Sequence, residues 1–240
     1  MSIFDTLEKR HHVLKYKPEI ISDELLKTLL YKAWKITPSK QNCMPYNVSI
    51  LGPDKQEEKN IIYNKVVGNH QVWENTGLTK DTNANPKIQG EYKFNLNPNY
   101  THVISNSHLL MFSQRVCKEP NRFYKRAVLK EGHYLEQCEL DEVESTAESV
   151  SFEVGLFTSN LTSLCIENKV DVSYCGCFPK SKYMWKDTPY LWYDTERKIA
   201  HVHAIMSIGY GDYYRHEWLK KINKTSADIK PEIDEVVQWI

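Results

Sequence analysis

Two closely spaced pairs of residues in the last third of the chain could carry redox or metal chemistry. Cys175 and Cys177 stand two positions apart in VSYCGCF, so on a strand their thiols could share a face and form a redox disulfide. A bridge across one residue strains the geometry that a disulfide prefers. His201 and His203 share a strand face in the same way, but no carboxylate at ligand spacing completes a metal site. Packed or solvated side chains are the simpler interpretation of both pairs.

A polar loop directly before an apolar strand is a second place where chemistry could occur. The stretch ITPSKQNCMPYNVSIL, residues 36–51, contains Pro38, Ser39, Gln41, Asn42 and Pro45. Each proline fixes its own φ and disfavours a helix at the residue before it, so an upstream helix should end by about Thr37. We expect a rigid loop whose amides and short side chains can bind a ligand. A turn with only a structural role is the alternative.

Composition and charge restrict the class of protein. The chain has 240 residues, 41% of them hydrophobic, enough for one large domain with a substantial core. Lys plus Arg equals Asp plus Glu at 31 each, so no overall field favours nucleic acid or an anionic membrane. The sequence lacks a membrane-spanning apolar run and an N-terminal secretion signal. Its six cysteines are scattered without CxxC pairs, so we expect a reduced, cytoplasmic protein.

Hydrophobic periodicity predicts the elements that position these residues. Ser22 should cap a helix, because apolar residues at helical spacing follow it from Leu25 to Trp34. Further helices are expected over 57–67 and 151–168, the second with few charges and therefore buried on most sides. The expected strands lie around 48–50, within 100–116, and over 172–178 and 198–211. Because no regular βαβ rhythm is present, an α+β fold is favoured over a doubly wound parallel sheet.

The last predicted strand shows a clear alternation. One set of alternate positions is apolar, namely Val202, Ala204, Met206 and Ile208. The other set includes His201, His203 and Ser207. This pattern predicts a strand with two unequal faces. We expect a single domain over residues 1–240, because apolar periodic segments flank an irregular excursion around 75–99 and neither half looks self-sufficient.

In their order and spacing, several motifs resemble the nitroreductase family of FMN-dependent oxidoreductases. They are Arg10-His11 before Tyr16-Lys17-Pro18, Pro38 to Asn42 before Pro45-Tyr46, Asn160-Leu161 in a helix, and SIGYG at 207–211. The resemblance covers nearly the whole chain. It implies a nitroreductase-like α+β fold with a central mixed or antiparallel sheet flanked by helices. It also implies a homodimer with two FMN molecules at the interface.

The family resemblance further implies a phosphate site near the N-terminus. Basic side chains hold the FMN phosphate in this family, and Arg10 and His11 stand at the matching positions. Two positions depart from the pattern, because His12 and Leu14 replace the usual small hydroxyl residue and second basic residue. The phosphate contacts would therefore be rearranged or weaker.

A second basic position of the family lies before a C-terminal strand that is exchanged between subunits. Lys230 falls at this position, and Lys220, Lys221 and Lys224 compete for it. The exchanged tail would lie around 230–240, with EVVQWI as the strand. A tail packed on its own subunit is the alternative.

The resemblance assigns the flavin ring to two further segments. Pro38, Ser39, Lys40 and Asn42 match the loop that lies along the isoalloxazine and the ribityl chain. The usual glutamine before Pro45 is Met44 here, which removes one polar contact. Gly176 and Cys177 match the backbone amides that approach flavin N5 and O4, and a glycine permits close approach.

The implied activity is ping-pong transfer of hydride from NADH or NADPH, through flavin N5, to a small acceptor such as a nitroaromatic or a quinone. It needs no catalytic side chain of its own. Trp73, Phe123 or Tyr124 could stack on a substrate, but each could equally be core. Three alternatives stay open: another flavin reaction (flavin fragmentation, dehalogenation or ring oxidation), an FMN carrier or sensor without turnover, and an interaction protein on the same scaffold.

Overall fold

The computed structural model describes residues 7–8, 10–40, 43–75, 98–115, 146–192, 194–224, 228 and 230–237, apart from the side chains of 69–75 and 98. Asn42, most of the 75–99 excursion, Phe123, Tyr124 and the side chain of Trp73 lie outside the described part. The helices are α1 (Asp23–Ile36), α2 (Gln56–Asn75), α3 (His102–Ser105), α4 (Ala147–Glu167), α5 (Glu217–Lys221) and α6 (Ile233–Val236). The strands are β1 (Val13–Tyr16), β2 (Tyr46–Leu51), β3 (His108–Gln114), β4 (Asp171–Cys175), β5 (Val202–Gly209) and β6 (Gly211–Tyr214). Short 3₁₀ turns cover Pro98–Tyr100, Lys182–Trp185 and Pro189–Leu191.

The main sheet has four strands in the order β2-β3-β5-β4, and every neighbouring pair is antiparallel. All seven residues of β3 are buried, since it is an inner strand. Leu110 and Phe112 on β3 pack in one core, and Leu109 and Met111 pack in another. The sheet therefore separates two hydrophobic cores, which confirms the α+β prediction.

Different helices cover the two faces of this sheet. Helices α1 and α4 contribute Leu29, Phe157 and Leu161 to the first core. Helix α2 contributes Ile62 and Val66 to the second, together with residues of the segment after β4. Most residues of α4 are buried or half-buried, as expected for a helix with few charges, and the exposed ones, such as Phe152, are a minority.

The alternation expected in β5 is broken by a register irregularity. Ala204, Met206 and Ile208 face the first core as predicted, but Val202 packs in the second core with Ile205. The pairing of β3 with β5 shifts between Phe112 and Ser113, which lie opposite Ala204 and Val202. A shift of this kind inserts one residue and moves the side chains beyond it to the other face. Both faces of β5 are covered, so the expected difference between them is wrong.

Helix α1 has the boundaries that its sequence predicts. Ser22 is the N-cap, and its hydroxyl accepts a hydrogen bond from the Leu25 amide at 3.2 Å. Asp23 and Glu24 occupy the first turn, where the helix dipole favours negative charge. The helix stops at Thr37, which is extended at φ −79° and ψ 121° as a residue before proline should be.

A smaller antiparallel sheet of β1 and β6 attaches the N-terminal segment to the end of β5. The Tyr16 hydroxyl donates to the carbonyl of Ser207 at 2.9 Å. A Cβ added at Gly209 would lie 2.6 Å from the Tyr16 ring, so only glycine allows this close packing. The segment around residue 10 is thereby fixed beside β4 and β5.

The described part of the C-terminal tail is helical where a strand was expected. Glu235 and Val236 belong to α6, whose first turn has a capping box between Glu232 and Glu235. Ile233 and Val236 are 68% and 69% exposed. A four-residue helix satisfies its own backbone locally, whereas a strand needs a partner. Exchange of this tail between subunits stays a prediction. Among the described helices, none is long and apolar enough to cross a membrane.

Candidate functional site

Arg10 and His11 lie just before β1, next to β6. Arg10 is exposed, and its backbone amide donates to the carbonyl of Leu7 at 3.0 Å. The His11 ring packs edge-on against Tyr214, with 5.2 Å between ring centroids. Burial and then the nearby Lys220 lower the pKa of His11. His11 is therefore neutral at neutral pH and offers an N–H donor rather than a full charge.

His12 does not project into solvent as a basic residue would. Its Nδ1 lies 3.2 Å from the Ser173 hydroxyl, and its ring centroid lies 5.8 Å from that of His102. Burial, followed by Arg215 and Arg10, lowers the pKa of His12 to about 4. The strand residue Leu14 is buried in β1. Both departures from the family pattern thus have structural roles at the base of the site.

Two cations join Arg10 around these histidines. The charge of Lys220 lowers the pKa of His11, and the Lys220 Nζ lies 3.8 Å from the centroid of the Tyr214 ring. The charge of Arg215 lowers the pKa of His12, and the Arg215 amide donates to the His12 carbonyl at 2.9 Å. Sequence reasoning missed Arg215, although its position just after the predicted last strand was a usable signal. Lys220 was a competitor of Lys230, which is exposed just before α6.

Two acidic residues, Asp171 and Glu217, partly balance a cluster of three cations, Arg10, Arg215 and Lys220. One oxygen of the Asp171 carboxylate accepts from the Gly211 amide at 2.8 Å and from the Tyr214 hydroxyl at 3.2 Å. Lys220 also lies 3.3 Å from Glu217. The charged neighbours of His11 are therefore mixed, whereas those of His12 are all basic. The field at His12 is therefore positive, although the chain has no net charge.

The polar loop of residues 38–45 is tied to α4 by a buried carboxylate. The Ser39 hydroxyl donates to Glu153 Oε2 at 2.6 Å, and the Lys40 amide donates to Glu153 Oε1 at 3.0 Å. The Met44 amide donates back to the Ser39 hydroxyl at 2.8 Å. Part of the polarity of the loop therefore serves Glu153, a contact that spans 114 residues of sequence and that sequence spacing did not reveal.

The loop ends in an unusual backbone conformation. Met44 has φ 47°, in the left-handed region, whereas an extended residue was expected before Pro45. The Tyr46 hydroxyl reaches the Met44 sulfur at 3.3 Å. At the start of the loop, Asn160 of the family-like motif donates to the Thr37 hydroxyl at 2.9 Å. Both ends of the loop are thus fixed by side chains of neighbouring elements.

Gly176 and Cys177 follow the last residue of β4 and are exposed. A Cβ added at Gly176 would meet no atom within 4 Å, so this stretch of backbone borders open space. The Cys177 amide is hydrogen-bonded to the sulfur of Cys175. In the chain itself, the amide predicted to approach flavin N5 thus has an internal partner.

His201 and His203 stack on each other beside this segment, with 4.6 Å between ring centroids. The Ser151 hydroxyl and His203 Nδ1 lie 2.9 Å apart, and His203 Nε2 is buried without a hydrogen-bond partner. Burial, then His201 and Lys180, lower the pKa of His203 to about 4. Within the described ranges, no three His, Cys, Asp or Glu side chains lie close enough to hold a metal ion.

A cavity of about 640 Å³ lies between α2 and the segment after β4. Its lining includes Ile61, Asn64, Lys65, Pro179 and Lys180. Lys65 is paired with Asp187 at 2.8 Å. Pro179, which lines the cavity, follows Gly176 by three residues in the chain. The cavity has room for a small molecule.

The predicted residues fall into separate groups. The first group, Arg10 and His11, lies beside β6 and α5. The second, Ser39 and Lys40, contacts Glu153 of α4. The third, Gly176 and Cys177, follows β4 in the chain. Among the described residues, no hydrogen bond, ion pair or ring contact joins the first group to the second. The donors nonetheless fit FMN in kind, because the cations suit a phosphate dianion and the open backbone at Gly176 suits a flat ring.

The architecture is similar to solved structures at low sequence identity. A proposed NAD(P)H:FMN oxidoreductase of Staphylococcus epidermidis is 16% identical, with 100% of this chain and 96% of that chain covered and a TM-score of 0.59. A proposed nitroreductase of Exiguobacterium sibiricum in complex with FMN is 13% identical, with 100% and 98% covered and a TM-score of 0.61. A nitroreductase family protein of Streptococcus pneumoniae is 11% identical, with 100% of both chains covered and a TM-score of 0.60.

No protein-family model and no curated protein matches the sequence. The likeness therefore concerns the arrangement of elements rather than the residues. This likeness confirms the predicted architecture, since each of these structures matches the whole length of this chain. The chain has the nitroreductase-like fold.

Proposed function

We propose that this protein is an FMN-dependent oxidoreductase that passes hydride from NADH or NADPH to a small acceptor. The observation that carries the proposal is the cluster of cations, Arg10, Arg215 and Lys220, around His11 and His12. Asp171 and Glu217 balance these three cations only in part, so the cluster can hold a further anion. The similar structure from Exiguobacterium sibiricum is in complex with FMN, whose phosphate is such an anion.

Each residue of this cluster has a distinct part in the proposed phosphate site. The Arg10 guanidinium presents two parallel donors to phosphate oxygens, and its exposure leaves it accessible. His11 adds a neutral N–H donor, since its pKa is lowered. Lys220 and Arg215 contribute charge. Lys230 is retained as the cation that the family pattern predicts from the tail.

The flavin ring is proposed to lie against Gly176 and Cys177, with Pro38, Ser39, Lys40 and Asn42 as further contacts. Ser39 donates to Glu153 and accepts from Met44, so its second lone pair is still available to a flavin donor. When bound, FMN would supply ping-pong hydride transfer through its N5 atom, from the reduced nicotinamide to a nitroaromatic, quinone or similar acceptor. The protein's part is to bind, orient and exclude water.

The remaining features of the proposal concern partners and location. NADH or NADPH and the acceptor would enter in turn. The cavity beside Lys65 and Lys180, whose lining includes Pro179 three residues along the chain from Gly176, is proposed to receive part of either. The protein is proposed to act as a cytoplasmic homodimer. The neutral net charge supports neither nucleic acid nor membrane as a partner.

Flavin binding and an Arg10 variant test the proposal. Purified protein should show flavin absorption bands, either directly or after addition of FMN, and anaerobic NADH or NADPH should bleach them. Arg10→Ala should weaken FMN binding by about 1.5 to 3 kcal/mol, roughly ten- to hundredfold in Kd, because it removes a charge-assisted contact.

A second arginine provides the matched control. Arg197 is exposed on the turn before β5 and pairs with Asp194 at 3.9 Å. Arg197→Ala should leave the Kd for FMN unchanged. Unchanged affinity in Arg10→Ala would refute the phosphate site, and protein that fails to bind added FMN would refute the function. Bands that resist both reduced nicotinamides would indicate a carrier or a different reductant.

A further inference from the structure

The two cysteines at the end of β4 form a close pair of thiols. Cys175 is 5% exposed and Cys177 is exposed. The side chain of Cys175 is hydrogen-bonded to Cys177, and the Cys177 amide is hydrogen-bonded to the Cys175 sulfur. Strand β4 ends at Cys175, so Gly176 and Cys177 lie beyond the strand. The contacts of Cys175 with both the side chain and the amide of Cys177 place the two thiols side by side.

The chemical environment of the pair distinguishes the two sulfurs. The hydrogen bond to Cys177 and then burial raise the pKa of Cys175, so this thiol stays protonated at neutral pH. The charge of Lys180 acts on both cysteines. A nearby ammonium favours the thiolate form, and a thiolate is the reactive species. Cys177 therefore has the exposure of an attacking thiol, and Cys175 has the position of a second, resolving thiol.

Gly176 makes closure of a disulfide between them feasible. Two sulfurs across one residue can bond only if the backbone between them bends, since the bond requires a short distance between Cα atoms. Gly176 has the widest choice of backbone angles, and the open space around its Cα leaves room for the movement. The resulting bond would be strained. Strained, accessible disulfides are more easily reduced, which suits exchange rather than structural crosslinking.

We propose that Cys175 and Cys177 are a redox-active dithiol that exchanges with small-molecule disulfides. The Cys177 thiolate attacks one sulfur of the small disulfide, a mixed disulfide forms, and one small thiolate leaves. Cys175 then loses its proton to solvent and attacks the Cys177 sulfur, and the second small thiolate leaves. The protein loses two electrons and two protons, and one small disulfide becomes two thiols. The reaction itself needs no flavin, but it uses the residues against which the flavin ring is proposed to lie.

Oxidised glutathione is the probe, and mass spectrometry of proteolytic peptides is the readout. In the wild-type protein, the peptide containing 175–177 should lose two hydrogens and retain no glutathione. In Cys175→Ser, glutathione should remain attached to Cys177. In Cys177→Ser, Cys175 should not react. Cys43→Ser, which changes another cysteine of the described chain, should form the disulfide between Cys175 and Cys177 as the wild type does.

The variants are checked for folding before they are compared. Because Cys175 is buried, Cys175→Ala is used with Cys175→Ser, and circular dichroism identifies the variant that keeps the native fold. Wild-type protein that keeps a stable mixed disulfide at Cys177 would overturn the proposal, because Cys175 would then not displace the glutathione. A lack of any reaction at Cys177 in the folded wild type would overturn it as well.

Discussion

At the scale of single residues, buried neutral histidines make the stability of the protein depend on pH. His102 is 1% exposed, and its Nδ1 lies 2.9 Å from the Ser207 hydroxyl. Burial, with His12 nearby, lowers the pKa of His102 to about 3. In the unfolded chain the same side chain binds a proton below about pH 6.5. The unfolded state therefore holds more protons between about pH 3 and 6.5, and stability falls as the pH falls through this window.

We expect His102→Asn to reduce this pH dependence. Between pH 7 and pH 5, the histidine should account for about 2 kcal/mol of lost unfolding free energy, since it stays neutral when folded. Urea unfolding of wild type and variant at both pH values measures the difference. Ser207→Ala, which keeps the histidine, should lower stability at both values and preserve the loss. Equal losses in wild type and His102→Asn would contradict a neutral buried His102.

At the scale of elements, one carboxylate connects the polar loop to α4. Glu153 accepts from Ser39 and from the Lys40 amide. Glu153→Gln places an amide NH₂ against one of these donors and removes the charge, so we expect a loss of about 1 to 3 kcal/mol in unfolding free energy. Hydrogen exchange should also accelerate at the amides of Lys40 and Met44, because the loop loses its anchor.

A glutamate near the start of the same helix serves as the control for that variant. Glu148 is exposed in the first turn of α4 and takes no part in the hydrogen bonds that join Glu153 to Ser39 and Lys40. Glu148→Gln removes the same charge and should leave exchange at Lys40 and Met44 unchanged. If Glu153→Gln also left exchange unchanged, the proline residues alone would be sufficient to hold the loop.

The same elements show what the sequence could and could not predict. The limits of α1 follow from Ser22 and Pro38, because capping and proline act locally. The break of alternation in β5 was not predictable, since it depends on the register with β3. Glu153 and Arg215 were missed for a related reason. Their importance depends on which distant segments they meet, and periodicity within one element holds no information about that.

At the scale of the whole molecule, the C-terminal tail leaves apolar side chains uncovered. Ile233, Val236 and Val237 are 68%, 69% and 40% exposed. Isolated exposed apolar residues are common, but a group in a short terminal segment is expected where a partner covers it. The family resemblance predicts that the partner is a second copy of this chain. We therefore expect a homodimer in solution, held in part by this tail.

The double substitution Ile233→Asp with Val236→Asp should shift this dimer toward monomer, because it places two charges on a surface that association would bury. Sedimentation equilibrium over a range of protein concentrations measures the dissociation constant. Ile222→Asp is the control, since Ile222 is 59% exposed but lies before the tail. An equal shift in the control would place the interface elsewhere. A wild-type protein that stays monomeric at all concentrations would rule out the exchanged tail, and the phosphate and ring contacts would then have to come from a single chain.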